Sequence, residues 1–117
     1  IRSSAASDVY KRQELGKKFG PIDLGFGNLG AYNFYPLVPV KDKSTAHANP
    51  EELLSLMKDL DVKKVIGMHW GTAILSLEPI WEPPVRFKEN AEKFGYKKEE
   101  AIIFKIGEIK KLEDLIN

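Results

Sequence analysis

Two histidines, His47 and His69, are the only ones in the 117-residue chain. Imidazole is the side chain most used for metal ligation and for proton transfer near neutral pH. Each stands at an element boundary. His47 opens the run His47-Ala48-Asn49-Pro50-Glu51-Glu52 ahead of a helix start, and His69 follows the apolar run Val65-Ile66-Gly67-Met68 and leads into Trp70-Gly71-Thr72. A short helix and a buried strand between them can fold the two rings back toward each other. In open α/β sheets, sites form beyond the C-terminal ends of strands, and Gly71 lets the backbone turn away, so His69 is well placed to reach a metal. The plainer reading of His69 is a core histidine bonded to backbone, and of His47 a structural cap. Position alone leaves both alternatives open. One imidazole cannot hold a catalytic zinc, which takes three protein ligands, so these residues by themselves reach no further than a partial metal site.

Asp23, Glu51, Glu52, Glu78 and Glu82 are the candidate carboxylates, although Glu51 and Glu52 are explained more simply by the positive end of a helix. The chain has no cysteine, which removes disulfides, thiolate zinc sites and thiol nucleophiles together, so any metal must sit on His, Asp or Glu. A net charge of +1 with 30% charged residues and no basic tract argues against nucleic acid as a partner. No apolar run approaches the roughly 20 residues of a membrane span, and no signal-peptide pattern opens the chain; a soluble, cytoplasmic protein is the default expectation. Gly25-Phe26-Gly27-Asn28-Leu29-Gly30 fits G-x-G-x-x-G, but Pro36 and Pro39 follow where a helix N-terminus must meet a pyrophosphate. A tight backbone turn is the reading there. Trp70, Trp81 and Tyr32 read as packing residues that could also line an apolar acyl-chain groove.

The elements that must position these side chains follow from pattern. With 43% hydrophobic residues, the chain can build one modest domain with a core. Glu14 to Phe19 resembles the last turns of a helix stopped by Gly20-Pro21. Ile22 to Phe26 is a short strand that the Gly-rich segment breaks off, and Ala31 to Ala46, with Pro36 and Pro39, reads as a long loop. Asn49 can cap, Pro50 suits the first helical position and Glu52 can close a capping box. Leu53, Leu54, Leu56, Met57 and Leu60 then recur at helical spacing, and Asp61 ends the helix. Val65 to Met68 is a buried strand entered through Lys63-Lys64. Gly71 to Pro84 reads as irregular, Val85 to Phe94 as a helix with Phe87, Ala91 and Phe94 on one side, stopped by Gly95. Ala101 to Ile106 is a strand and Lys110 to Asn117 a frayed tail. Strand, helix, strand, helix, strand makes the fold class α/β.

Residues 1–13 stand apart. Ser3 to Gln13 matches, over eleven consecutive residues, the in-frame translation of a transposase adaptor used in DNA library preparation. Scars of this kind are set aside in fold reasoning. The expected organisation is a non-native leader over 1–13 and a domain over 14–117 that is cut at its left edge.

Phe19-Gly20-Pro21-Ile22-Asp23-Leu24, Gly30-Ala31-Tyr32, His47-Ala48-Asn49-Pro50-Glu51-Glu52, His69-Trp70-Gly71-Thr72 and Glu82-Pro83-Pro84 together resemble the C-terminal part of metallo-β-lactamase-fold hydrolases. The branch they most resemble contains N-acylphosphatidylethanolamine-hydrolysing phospholipase D. The likeness runs from Glu14 to about Glu108 and rests on the ordered series of motifs. It implies an incomplete αββα sandwich, about one half of it, in which two metal ions, usually zinc, activate a water that attacks phosphorus or a carbonyl. His69 resembles the last metal ligand of the family, the histidine of its His-Trp-Gly motif. His47 resembles a site histidine close to the metals and the substrate phosphate, where it positions or protonates, and Tyr32 a substrate-pocket residue. The family's His-x-His-x-Asp-His motif, a further His and a bridging Asp lie upstream and have no counterpart here.

The resemblance therefore implies a zinc-dependent phosphodiesterase acting on a lipid phosphodiester, of which this chain is an inactive fragment with at most a partial zinc site. Cytoplasmic or membrane-peripheral localisation goes with such a substrate. After Gly30-Ala31-Tyr32 the phospholipase branch usually carries Glu-Pro-Arg, where this chain has Asn33-Phe34-Tyr35 and a longer loop, a departure that bears on the phosphate-facing contacts. Two other readings stand beside it: a lactonase-like hydrolase of the same fold, and a non-catalytic α/β binding domain with structural histidines. A half-sandwich would expose an apolar face and unpaired strand edges and so tend to aggregate.

Overall fold

Asn49 sets the start of the helix that organises the molecule. Its Oδ1 accepts from the Glu52 N–H at 2.8 Å while Glu52 Oε2 accepts from the Asn49 N–H at 3.0 Å, closing the anticipated capping box. Pro50 follows at the first helical position, where its missing N–H costs nothing. The structure, a computed structural model, describes residues 2–34 and 47–117. Its helices are α1 (Arg2–Phe19), α2 (Pro50–Asp59), α3 (Glu82–Asn90) and α4 (Leu112–Ile116), and its strands β1 (Ile22–Asn28), β2 (Val62–Met68) and β3 (Ala101–Ile103). The long-loop reading of Ala31 to Ala46 falls mostly outside the described residues.

The strands form one parallel sheet in the order β1-β2-β3, with Ile22 opposite Val62, Asn28 opposite Met68 and Val65 opposite Ala101. Helices α2 and α3 pack together on one face of it. Leu29, Leu54, Val65, Phe87, Ala91 and Ala101 are fully buried between sheet and helices, each large apolar side chain contributing about 1.5–3 kcal/mol of burial. Leu53 and Met57 complete the stripe on α2, with Leu56 and Leu60 partly buried at its margin. Tyr96 donates its hydroxyl to the Val62 carbonyl at 3.0 Å, so the polar end it brings into this core is satisfied.

Several boundaries differ from the expected ones for physical reasons. β1 runs through Asn28, so Gly25 to Asn28 is strand and not a tight turn. The glycines there admit α2: a Cβ on Gly25 would lie 2.6 Å from Met57 Sδ, and one on Gly27 2.1 Å from Leu53 Cδ1. β2 begins at Val62 because Lys63 and Lys64 can sit in a strand with their ammonium groups elsewhere, on Asp23 and on the Leu115 carbonyl. α3 begins at Glu82, since Pro83 and Pro84 start a helix rather than prevent one. It ends at Asn90, and a short 3-10 turn over Glu92–Phe94 leads to Gly95 in the left-handed conformation. β3 stops at Ile103, ahead of a turn at Lys105–Glu108 closed by the Glu108 N–H on the Lys105 carbonyl. The expected frayed tail contains α4, tied to β2 by Lys64.

Helix α1 crosses the Gln13–Glu14 boundary without a break. It approaches the end of α2 at Gly16, whose Cβ would meet the Asp59 carbonyl at 2.7 Å, and Arg12 and Gln13 both reach the Asp59 carboxylate. On the sheet face away from α2, Phe26 and Met68 are exposed.

Asn49→Ala is expected to cost about 1 kcal/mol, read as a lower urea midpoint with an unchanged slope. Gly27→Ala, which forces Leu53 out of its place in the core, is expected to cost more.

Candidate active site

The β1–β2 ladder continues past both strand ends. The Leu29 N–H donates to the Met68 carbonyl at 2.9 Å, and the Gly30 N–H to the His69 carbonyl at 3.1 Å. A Cβ on Gly30 would lie 2.6 Å from that His69 oxygen, so the two chains lie this close only because residue 30 has no side chain. His69 adopts φ +62°, the left-handed region that costs a non-glycine residue on the order of 1–2 kcal/mol. Strain of this kind at a strand end is a pointer to function. The turn takes the backbone off the sheet and leaves the imidazole exposed at the C-terminal edge.

His47 comes to the same edge from the other direction, two residues before Asn49, which caps α2. The two imidazole centroids are 5.0 Å apart and tilted by 31°. This is the convergence anticipated from the helix and strand between them, and neither ring is packed in the core. Asn28, the last residue of β1, places its Nδ2 3.3 Å from His47 Nδ1. An amide nitrogen only donates, so with the Asn28 amide oriented this way Nδ1 accepts and Nε2 carries the proton of the neutral ring. Asn28 is a site residue that the glycine-motif reading passes over. The available signal is its place at the end of a strand, beside the segment leading to Gly30.

The anticipated carboxylates do not join the imidazoles. Asp23 pairs with Lys63 on the surface, Glu51 with Arg86 Nε at 2.8 Å, and Glu52 belongs to the capping box. Glu82 accepts the Tyr32 hydroxyl at 2.8 Å. Burial first, and then the hydrogen bond to Glu82, hold the Tyr32 phenol well above its usual range, so it stays protonated and donating. The Arg86 guanidinium lies 5.1 Å over the Tyr32 ring. Tyr32 is thus a buried wall between the N-termini of α2 and α3.

Glu78 is the buried carboxylate of the site. It accepts from the backbone N–H groups of Ala31 and Tyr32 through Oε1 and from that of Asn33 through Oε2, the last at 2.9 Å. Burial is the largest single influence on it and acts upward. The Ser76 hydroxyl and the N–H groups of Asn33, Glu78 and Ala31 together outweigh it and hold the carboxyl below its usual range. Glu78 therefore fixes the left-handed Ala31 and everything that hangs from it. Beside His69 the segment 70–80 curls over a cavity of about 640 Å³, lined by Gly30, Ala31, Trp70, Ile74, Leu77 and Pro83 among others. Tyr32 is not part of that lining.

Among the described residues no group of three or more His, Asp or Glu side chains converges as a metal site. The donor type at the His47–His69 pair suits zinc, but two imidazoles fall short of the three protein ligands a catalytic zinc takes. These residues do not hold such a centre by themselves.

No family model matches the chain. It is 47% identical over 51 residues, 44% of its length, to the mitochondrial N-acyl-phosphatidylethanolamine-hydrolyzing phospholipase D of Saccharomyces cerevisiae. The chain resembles that phospholipase D branch. It is also 33% identical over 78 residues, 66% of its length, to N-acyl-phosphatidylethanolamine-hydrolyzing phospholipase D 1 of Caenorhabditis elegans. The matched segments span 11% of the yeast protein and 20% of the worm protein. The likeness to the phospholipase D branch read from the five motifs is thereby met by two relatives.

Two outcomes are expected from this geometry. His69→Gly should leave the chain about 1 kcal/mol more stable than His69→Ala, because glycine alone relaxes the left-handed turn; equal urea midpoints would contradict the strain. Glu78→Gln should cost about 1–3 kcal/mol near neutral pH, a cost that shrinks as pH falls below the usual carboxylate range. A carboxyl whose folded pKa is depressed contributes stability above its unfolded pKa and loses it as pH falls through the folded one.

Proposed function

We propose that this chain is part of a hydrolase that cleaves a lipid phosphodiester. The observation that carries the proposal is the meeting of His47 and His69 at the C-terminal edge of a parallel sheet, in a chain whose relatives are named for hydrolysing N-acyl-phosphatidylethanolamine. The three-stranded sheet with its exposed Phe26 and Met68 is consistent with half of an αββα sandwich, the second sheet being supplied by a longer chain. The share of the relatives that the chain spans supports that reading.

In a longer protein His69 would provide one donor to a zinc site whose other ligands would come from upstream. Zinc held there would supply Lewis acidity. The steps left to this chain's residues are binding and hydrogen-bond donation. With Nδ1 accepting from Asn28, His47 presents Nε2–H to a phosphoryl or leaving-group oxygen. It orients the phosphate and, as a hydrogen-bond donor, stabilises the charge that develops on the departing oxygen. Tyr32, held by Glu82 and Arg86, supports the segment 31–33 from behind, and the largely apolar cavity beside His69 receives part of an acyl chain. A lipid substrate places the protein in the cytoplasm or at a membrane surface.

Zinc content and turnover, measured on the longer protein, test this. His69→Ala should remove bound zinc together with hydrolysis of N-acyl-phosphatidylethanolamine. His47→Ala should leave zinc in place and lower kcat by about 10²-fold or more. The 117-residue chain alone should show no tight one-to-one site in a calorimetric zinc titration. A His69→Ala variant that keeps its zinc and loses only stability would make the histidines structural and overturn the hydrolase reading.

A further inference from the structure

The ring centroids of His47 and His69 stand 5.0 Å apart. A zinc-bound imidazole nitrogen lies about 2.0–2.1 Å from its ion, so rings this close are near enough to share one. A neutral imidazole ligates through the nitrogen that lacks a proton, and the hydrogen bond made by its other nitrogen selects which one that is. In metal sites that second partner is an acceptor, a carboxylate or a carbonyl, which draws the proton to itself and leaves the lone pair for the ion. At His47 the partner is of the opposite kind. Asn28 Nδ2 lies 3.3 Å from Nδ1, and an amide nitrogen brings a proton and accepts none. Nδ1 is thereby occupied as an acceptor, and Nε2 holds the ring's one proton.

The sheet holds the amide in place. Asn28 ends β1 opposite Met68, and just beyond it the Leu29 and Gly30 N–H groups continue the ladder onto the carbonyls of Met68 and His69. Asn28 and His69 therefore sit in one backbone frame, to which His47 comes from the segment before α2. We propose that Asn28 is a positioning residue that reserves His47 as a hydrogen-bond donor and keeps it from joining His69 as a metal ligand. The side chain at this position decides what the pair does. Asn leaves a donor imidazole for an anionic oxygen beside an imidazole able to ligate. Asp, of nearly the same shape, accepts from Nδ1–H, moves the lone pair to Nε2 and makes both rings ligands. The proposal rests on the reading of His47 as a substrate-side residue, yet its first test requires neither metal nor turnover, so the two can fail separately.

His47 and His69 are the only histidines in the chain, so imidazole nitrogen spectra are simple to assign. Long-range proton–nitrogen correlation on the full chain at about pH 9, above the ordinary imidazole pKa, separates protonated from bare ring nitrogens, and His69→Gly tells the two rings apart. His47 should show a bare Nδ1 and a protonated Nε2. Asn28→Asp should reverse that pattern, and Asn28→Leu should draw the two shifts toward each other as the tautomers exchange, each with circular dichroism unchanged. In zinc titrations Asn28→Asp should bind about 10-fold more tightly than the parent chain, and adding His47→Ala should remove the gain. A protonated Nδ1 in the parent chain, or a His47 pattern that neither substitution moves, would overturn the proposal. So would a gain in zinc affinity that survives His47→Ala, since the new carboxylate and not the imidazole would then bind the ion.

Discussion

The hydrogen bond from the Gly30 N–H to the His69 carbonyl is the contact on which the site depends. It extends the β1–β2 ladder one step beyond the regular strands, and it exists because a glycine faces a carbonyl where any Cβ would collide. The same constraint recurs within the sheet. Gly25 and Gly27 let Met57 and Leu53 of α2 rest on β1, and Gly67 lets Leu29 rest on β2. α2 is thereby brought down onto the sheet, and the residues just before it, His47 among them, come to the edge where His69 leaves it. The imidazole pair is a consequence of backbone proximity.

Around that edge the acidic residues serve architecture. Glu52 closes the start of α2, Glu51 reaches Arg86 on α3, Glu82 takes the Tyr32 hydroxyl, and Glu78 gathers the N–H groups of 31–33. A buried carboxylate is costly unless its lone pairs are answered, and those of Glu78 are answered by backbone donors that a left-handed Ala31 turns toward it. The result links three otherwise separate pieces, the segment after β1 and the N-termini of α2 and α3. It leaves the chain with imidazoles and no carboxylate at the edge, among the described residues.

Much of this is legible in the chain itself, and the reasons are local. The capping box at Asn49, the helical stripe from Leu53 to Leu60 and the apolar strand before His69 are written in adjacent residues, and each forms where its pattern places it. What local pattern misjudges depends on partners far away in sequence. Gly25 to Gly30 reads as a turn because glycine frees the backbone, whereas the decisive fact is the helix lying on it. Pro83 and Pro84 read as breakers, whereas their missing N–H groups fall in a first turn that does not need them. Asn28 as the neighbour of His47, and Glu78 as the clamp of 31–33, rest on contacts between residues 19 and 45–47 positions apart, which no spacing rule reaches.

The arrangement also separates two kinds of chemistry. His47, Asn28 and His69 occupy the edge of the sheet and offer polar donors and acceptors, while the segment just after His69 is uncharged and turns its aliphatic side chains outward. The lipid phosphodiester proposed as substrate has this same division, a charged phosphate joined to long apolar chains. Binding it requires a polar point and an apolar surface within one molecule's length of each other, on a support rigid enough to hold both. The left-handed turn at His69 supplies that: it ends the polar edge and begins the apolar loop within two residues. The strain stored at this turn is consistent with a need for that juxtaposition, since packing alone would have been served by glycine at the same position.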